Sequence, residues 1–257
     1  TYRNHEKMER IMATAAVAPR TMTDAEWEAR QQLAAAYRVF DHLGWSEMIY
    51  NHITLKVPGE DHAFLINPFG LHFSEVKASN LVKIDIDGNT LDGSPYPVNK
   101  AGFVQHSYFH RHVPWAHAIC HTHTTATMAV SSLEGGLQPT NFYACNFVGR
   151  IGYHDFEGVT VREEEGERLV KNLGDKRILM LRNHGPVVMG KSLPEALPCA
   201  MHGSPNARTT PSSRRPQPAS PPTATKSYYA PQQQQQYNAH VGGGRNRSRN
   251  GGGRSRR

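Results

Sequence analysis

The chain has 257 residues, with 29 basic and 22 acidic side chains and a formal net charge of +7. Such a balance suggests nucleic acid as a partner, but ten of the 29 Lys and Arg residues, and no Asp or Glu, follow residue 198. Residues 1–198 keep the other 19 basic side chains against all 22 acidic ones, a net charge of −3, which excludes a basic globular domain.

Cysteine content and hydropathy exclude two further classes of protein, disulfide-stabilised and membrane-spanning. The three cysteines do not make a disulfide framework in a chain of this length. No apolar run approaches the ~20 residues that a membrane-spanning helix needs, and the N-terminus lacks a signal-peptide pattern. The sequence therefore predicts a cytoplasmic protein with no membrane partner.

The predicted elements begin after a flexible arm, residues 1–22. Thr23 and Glu26 have the spacing of a capping box, in which each side chain bonds the backbone of the other, and the helix they start should stop by Gly44. One face of this helix is apolar: Trp27, Leu33, Ala34, Tyr37 and Phe40. Further helices are predicted at Ala101–His112, Thr124–Leu133 and Val161–Val170, the last with a Glu164–Arg168 pair. Strands are predicted at Ile49–Val57, Ala63–Ile66, Leu81–Ile86, Ala118–His123, Phe142–Val148, Arg177–Leu181 and Val187–Met189.

Two of these strands carry histidines at their ends. His121 and His123 alternate along one strand, so their imidazoles can converge, while Cys120 faces the other way as an apolar filler. His184 follows the strand Arg177–Leu181 and would supply a third nitrogen. Three histidines with an open fourth position are typical of a catalytic divalent metal, most often zinc. The alternative is that these are ordinary polar residues at strand ends.

The composition changes abruptly at Pro198. Residues 198–257 hold Pro, Ser and Thr clusters, a run of five Gln and Gly/Arg repeats, which predict a disordered basic tail. One interpretation is a functional tail that binds RNA; the other, which the sudden stop within a helix favours, is a reading frame that shifted near Leu197. Loss of helices beyond this point would uncover one face of the sheet and leave the protein only marginally stable.

Several segments together resemble the class II aldolase/adducin family, and its adducin branch in particular. They are Tyr50–Gly59, Phe64–Leu71, Leu81–Asn89, the His-x-His strand and Asn183-His184-Gly185. The resemblance covers Thr23–Leu197 and implies a three-layer α/β/α domain around a mostly antiparallel sheet. It also implies His121, His123 and His184 as ligands of a divalent metal, most often zinc, and a homo-oligomer, commonly a tetramer, although the tail makes that assembly doubtful for this chain.

The chemistry that the resemblance implies is aldol cleavage, or a related lyase or isomerase step, through a metal-stabilised enediolate of a small hydroxy-carbonyl compound. Asn51 and Gly70 match positions that line the phosphate pocket of the family's aldolases. Phe69, however, replaces a hydroxyl residue there, which favours an unphosphorylated substrate. Lys100 is either an anion ligand or a solvated lysine at a helix start.

The family's proton-carrying Glu, which follows a Ser pair, has no counterpart in the segment 99–102, Asn-Lys-Ala-Gly. Substitutes are Tyr143, which a core aromatic explains equally well, and Glu157, which reads as a loop residue. His106 and His110, one helical turn apart, are either further ligands or packing residues. The sequence thus leaves three hypotheses: a metal-dependent enzyme, a non-catalytic adducin-like interaction module, and RNA binding through the tail.

Overall fold

The computed structural model describes residues 22–158, 163–198 and 200. The flexible arm and almost all of the basic tail therefore lie outside the described residues, and the predictions for them stay predictions. In the part of the chain that the structure describes, no helix is both long and apolar enough to cross a membrane.

One sheet organises the described residues, with the strand order β3-β2-β1-β4-β7-β6-β5. Its strands are β1 His52–Lys56, β2 Ala63–Ile66, β3 Val82–Asp85, β4 Ala118–His121, β5 Ile151–His154, β6 Ile178–Leu181 and β7 Gly185–Gly190. Neighbouring strands are antiparallel except β5 and β6, which run parallel. The predicted α/β fold with a mostly antiparallel sheet is confirmed.

Helices cover both faces of this sheet. They are α1 Asp24–His42, α2 Lys100–His112, α3 Thr125–Ser131, α4 Phe142–Cys145, α5 Glu163–Leu173 and a helical segment at residues 193–198. Side chains of α1 and of the segment 193–198 share a buried cluster with Cys120 and Val188. Side chains of α2 and α5 share another with Ile119 and Val187. Because consecutive strand residues point to opposite faces, these two clusters define three layers.

Helix α1 begins as the sequence predicts but without the full capping box. The Thr23 hydroxyl accepts a hydrogen bond from the Glu26 backbone N–H, at 3.1 Å. The Glu26 carboxylate does not return this bond, because it is buried and accepts from Arg30 Nε at 2.8 Å and Lys83 Nζ at 3.0 Å. Trp27, expected on the apolar face, is 40% exposed. Tertiary ion pairing has overridden the local capping pattern here.

The strand predicted at Phe142–Val148 is wrong. The segment forms the short helix α4, because the Asn141 side chain accepts from the Ala144 backbone N–H at 2.9 Å and caps it. Phe142 and Val148 are 78% and 63% exposed, whereas Ala144 is buried and Phe147 packs against the cluster that contains Cys120. The strand lies further on, at β5, where Gly152 packs so closely on helix α5 that an added Cβ would lie 2.3 Å from the Asn172 carbonyl oxygen.

Three element ends also differ from the prediction. Strand β4 ends at His121, so His123 lies beyond it, and Glu47–Ile49 form a 3-10 turn rather than the start of β1. Residue 200 is helical and buried, so helical backbone is found two residues beyond Pro198, where the sequence predicts a stop.

Candidate metal centre

The hydrogen-bonding register of the sheet brings the three histidines together. His121 is the last residue of β4 and pairs with Val187 of β7. Strand β7 follows a tight turn, residues 182–184, which links it to β6. The end of β4 and the turn before β7 therefore lie side by side, and His123 and His184 enter the same space from either side of His121.

The ligand nitrogens lie at distances that suit one small cation. His121 Nε2 is 2.7 Å from His123 Nε2 and 3.3 Å from His184 Nε2, and the ligand atoms of all three residues lie within 4.8 Å of one another. Tetrahedral zinc with bonds of about 2.0–2.1 Å places its nitrogens about 3.3 Å apart. No other group of three or more His, Cys, Asp or Glu ligands was found among the described residues.

Hydrogen bonding fixes the ring that lies deepest. His121 is buried, and its Nδ1 lies 3.0 Å from the Pro186 carbonyl oxygen. A carbonyl only accepts, so Nδ1 carries the proton and Nε2 presents its lone pair to the other two rings. This is the arrangement in which histidine binds a metal, with the second ring nitrogen donating to the protein.

Burial keeps these imidazoles neutral. The cost of desolvating a charge lowers the pKa of His123 and of His184 to about 4. It lowers the pKa of His121 well below its ordinary value, with repulsion from the other two imidazoles adding to the effect. Protons therefore compete with a cation for these lone pairs only in acid.

The backbone of His123 is held by Asn51, which is fully buried. The Asn51 Oδ1 accepts from the His123 N–H at 2.8 Å, and the Asn51 amide nitrogen donates to the Trp45 carbonyl. Both ends of the amide are thus engaged inside the protein. In the structure the Asn51 amide holds the His123 backbone; the contact with substrate that the resemblance implies stays a prediction.

His106 and His110 form a second group of histidines, joined by Thr54. The Thr54 hydroxyl lies 2.8 Å from His106 Nδ1 and 2.8 Å from His110 Nε2, while His110 Nδ1 lies 2.8 Å from the Ala116 carbonyl. Since His110 must donate to that carbonyl, Thr54 donates to His110 and accepts from His106. Both histidines are buried under the sheet, which supports the packing interpretation.

His52 connects the two groups and was missed by the sequence reasoning. Its ring centroid lies 4.2 Å from that of His106 and 5.2 Å from that of His121. A Cβ added to Gly102 would lie 2.8 Å from His52 Cδ2. Gly102 falls in the segment where the family's aldolases carry their Glu, so the ring of His52 lies in the path of any side chain at that position.

Acid should unfold the metal-free protein through these rings. Burial lowers the pKa of His52 and His110 to about 3, and the pKa of His106 also falls well below its ordinary value. An unfolded histidine has a pKa near 6.5. Below about pH 6.5 the unfolded chain therefore binds more protons, and the unfolding free energy falls by up to about 1.4 kcal/mol per pH unit for each such group.

Urea unfolding of the metal-free chain between pH 8 and pH 5 measures this effect. We expect a level midpoint above about pH 7 and a steady fall below it, in a range where few carboxylates titrate. A urea midpoint that stays constant down to pH 5 would show that the fold does not hold the buried histidines in their neutral form.

The other predicted site residues lie in other segments of the chain. Gly70 has φ +103° and open space where a Cβ would lie, and Lys100 is exposed at the start of α2. Tyr143 lies on α4 and is 51% exposed, so it is not the core aromatic that the alternative required. Glu157 accepts from Arg168 through both carboxylate oxygens and lies 3.7 Å from His154 Nε2. The ring centroid of Phe156 lies 6.4 Å from that of His184.

The fold has counterparts among known proteins. The family model for the Class II Aldolase and Adducin N-terminal domain matches residues 31–208. A Caulobacter vibrioides protein named for the class 2 aldolases is 44% identical over 174 residues, 68% of each chain. Rat alpha-adducin is 48% identical over 170 residues, which are 65% of this chain but only 23% of that protein. The chain belongs to the class II aldolase and adducin family.

Two solved structures extend the comparison. An aldolase II superfamily protein from Pseudomonas syringae has a TM-score of 0.73 and 37% identity, over 86% of this chain and 94% of that one. An L-fuculose 1-phosphate aldolase from Glaciozyma antarctica has a TM-score of 0.65 and 29% identity, over 74% and 76% of the two chains. The relatives therefore include proteins named as aldolases and proteins named as adducins.

Proposed function

We propose that the chain is a metal-dependent enzyme that acts on a small hydroxy-carbonyl compound, by aldol cleavage or a related lyase or isomerase step. The observation that carries the proposal is the convergence of His121, His123 and His184 on one point, with ligand atoms within 4.8 Å of one another. Relatives named as aldolases support the reaction class.

The ligand set favours zinc as the cation. Imidazole nitrogens suit zinc better than they suit calcium or magnesium, which prefer oxygen. Three neutral imidazoles leave the charge of the cation undiminished, so that when bound it supplies Lewis acidity to a carbonyl oxygen. The protein contributes orientation: Pro186 fixes the tautomer of His121, and Asn51 fixes the backbone of His123.

The substrate that we propose is unphosphorylated. Phe69 takes the place of a hydroxyl residue in the segment that resembles the aldolases' phosphate pocket, and Asn51 has both amide ends engaged within the protein. Of the two candidate proton carriers we favour Tyr143, because both carboxylate oxygens of Glu157 accept from Arg168.

Chelator-sensitive turnover tests the proposal. The zinc-loaded chain is given a panel of hydroxy-aldehydes and hydroxy-ketones, each with and without a terminal phosphate. We expect turnover of unphosphorylated members that a chelator abolishes, that added zinc restores and that the His184→Ala variant lacks. The His62→Ala variant, which changes an exposed histidine outside the centre, serves as the matched control and should retain full activity.

A second candidate function is a non-catalytic interaction module. It is favoured by the 48% identity to alpha-adducin and by Gly102, which offers no carboxylate where the family's aldolases carry one. Retention of three converging histidines argues against it. Stoichiometric zinc binding without turnover of any member of the panel would favour this module over the enzyme.

A further inference from the structure

We infer that Arg182 is a positioning residue for the metal centre: it locks the turn that carries His184 to the segment that follows α3, and so fixes the distance between His184 and His123. The inference rests on the proposed function, because it concerns the geometry of that same ligand set. No predicted site residue lies in this contact.

Helix α3 links the two halves of the ligand set. Its N-terminal end follows His123 directly, with Thr124 as the N-cap. Its C-terminal end is tied to the other half, because the Asn183 backbone N–H donates to the Ser131 carbonyl at 3.1 Å. Asn183 is the residue between Arg182 and His184 in the sequence.

The Arg182 side chain doubles this connection. Its Nη1 donates to the carbonyl of Leu133 at 3.2 Å and to that of Glu134 at 3.0 Å. These carbonyls follow the end of α3 and add to the bond that Asn183 makes there. A planar guanidinium can donate to two carbonyls in a fixed direction, whereas a lysine ammonium on a flexible stem imposes no such direction.

The guanidinium itself is held in place by β5 and the loop after it. Its carbon lies 4.9 Å from the centre of the Tyr153 ring, and its Nε lies 3.4 Å from an Asp155 carboxylate oxygen. The Tyr153 hydroxyl accepts from the Leu137 backbone N–H at 3.0 Å. Arg182 and Tyr153 therefore hold the same loop, residues 133–137, from two points, which makes the link from that loop to His184 rigid.

A positioning role and a purely electrostatic role predict opposite results. A guanidinium two residues from a ligand repels a divalent cation, so its removal would strengthen metal binding if charge were its only effect. If Arg182 holds the geometry, its removal weakens binding, as loss of an outer partner of a metal ligand typically does by 10- to 100-fold.

Arg177 offers a matched control at the opposite end of the same strand. It precedes β6 as Arg182 follows it, its guanidinium lies 5.7 Å from the centre of the Trp115 ring, and it pairs with Glu195. Each of these two arginines thus has an aromatic contact and an ion pair of its own, but only Arg182 lies two residues from a proposed ligand. Both substitutions to alanine remove an aromatic contact and an ion pair, but only Arg182→Ala also removes hydrogen bonds to the carbonyls of Leu133 and Glu134.

Competition with a chromophoric chelator measures the zinc Kd of four folded proteins: wild type, Arg182→Ala, Arg182→Lys and Arg177→Ala. We expect Arg182→Ala to bind about tenfold more weakly or worse, Arg182→Lys to be weakened although it keeps the charge, and Arg177→Ala to stay within about twofold of wild type. The visible spectrum of the cobalt-loaded proteins should change for the Arg182 variants and not for Arg177→Ala.

The outcomes separate this inference from the proposed function. A wild-type chain that binds no zinc overturns both. Zinc binding by wild type with an equal or tighter Kd for Arg182→Ala, and an unchanged cobalt spectrum, overturns the positioning role alone. If Arg182→Ala does not fold, Arg182→Lys decides, because it retains the aliphatic stem and the charge; wild-type affinity in that variant overturns the inference.

Discussion

Alanine in place of His121, His123 or His184 is expected to abolish tight zinc binding by this chain. Each substitution removes one of the three proposed ligands, whose ligand atoms lie within 4.8 Å of one another. The loss should exceed the 10- to 100-fold that removal of a ligand's hydrogen-bond partner costs. At a free zinc concentration 100 times the wild-type Kd, binding stabilises the folded wild type by about 2.7 kcal/mol.

Thermal unfolding with and without zinc measures this effect. In a domain of about this size, the gain should raise the wild-type Tm by roughly 5–10 °C. The three variants should show no shift, while the control His62→Ala should shift as wild type does. Each metal-free variant must first unfold cooperatively, which separates lost binding from lost folding. A full zinc shift in any of the three would show that the residue is not a ligand.

A methyl group at Gly185 should damage both stability and metal binding. Gly185 follows His184 with φ +155°, and an added Cβ would lie 2.3 Å from the Thr122 carbonyl oxygen, which is backbone and cannot rotate away. Thr122 lies between His121 and His123, so relief of the collision must separate the two halves of the ligand set. We expect Gly185→Ala to lower the unfolding free energy by roughly 3–5 kcal/mol.

Gly174→Ala is the matched control for this substitution. Gly174 also has a positive φ, +58°, but nothing lies within 4 Å of an added Cβ. It should cost only the roughly 1–2 kcal/mol of a left-handed alanine and leave the zinc Kd unchanged. Urea unfolding with zinc titration compares the two variants. Equal costs for both, or a wild-type Kd for Gly185→Ala, would contradict the close approach of the Gly185 and Thr122 backbones.

The sequence predicted those features that depend on local pattern. The apolar run before the histidines placed His121 at a strand end, and the capping pattern and apolar face of α1 placed that helix within two residues of its observed bounds. Cys120, predicted to face away from the histidines, is buried in the cluster with α1, on the other face of the sheet from Ile119. In each case, a buried face repeats along a single element, so the signal is contained within a dozen residues.

Contacts between distant segments could not be predicted in the same way. Thr54 meets His106 and His110 across more than fifty positions, and Arg182 meets Leu133 across 49. Neither contact leaves a periodic trace in the sequence. The error at α4 has a related cause: the aromatic and apolar residues from Phe142 to Val148 suit a strand, yet Asn141 caps a helix there and Phe142 and Val148 stay exposed.

The structure gives a packing reason for the glycine at residue 102. By sequence it marks a missing carboxylate; in the structure its bare backbone is what the His52 ring packs against, at 2.8 Å from the position of a Cβ. A glutamate restored at residue 102 would thus collide with His52 unless that ring moved.

X-ray absorption at the zinc edge tests the central claim most directly. The wild-type chain, loaded and then freed of excess metal, should retain about one zinc per chain. Its first coordination sphere should consist of nitrogen and oxygen at about 2.0–2.1 Å, with the outer scattering of three imidazoles. Sulfur at about 2.3 Å, fewer than three imidazoles, or no retained zinc would contradict a metal centre built from His121, His123 and His184.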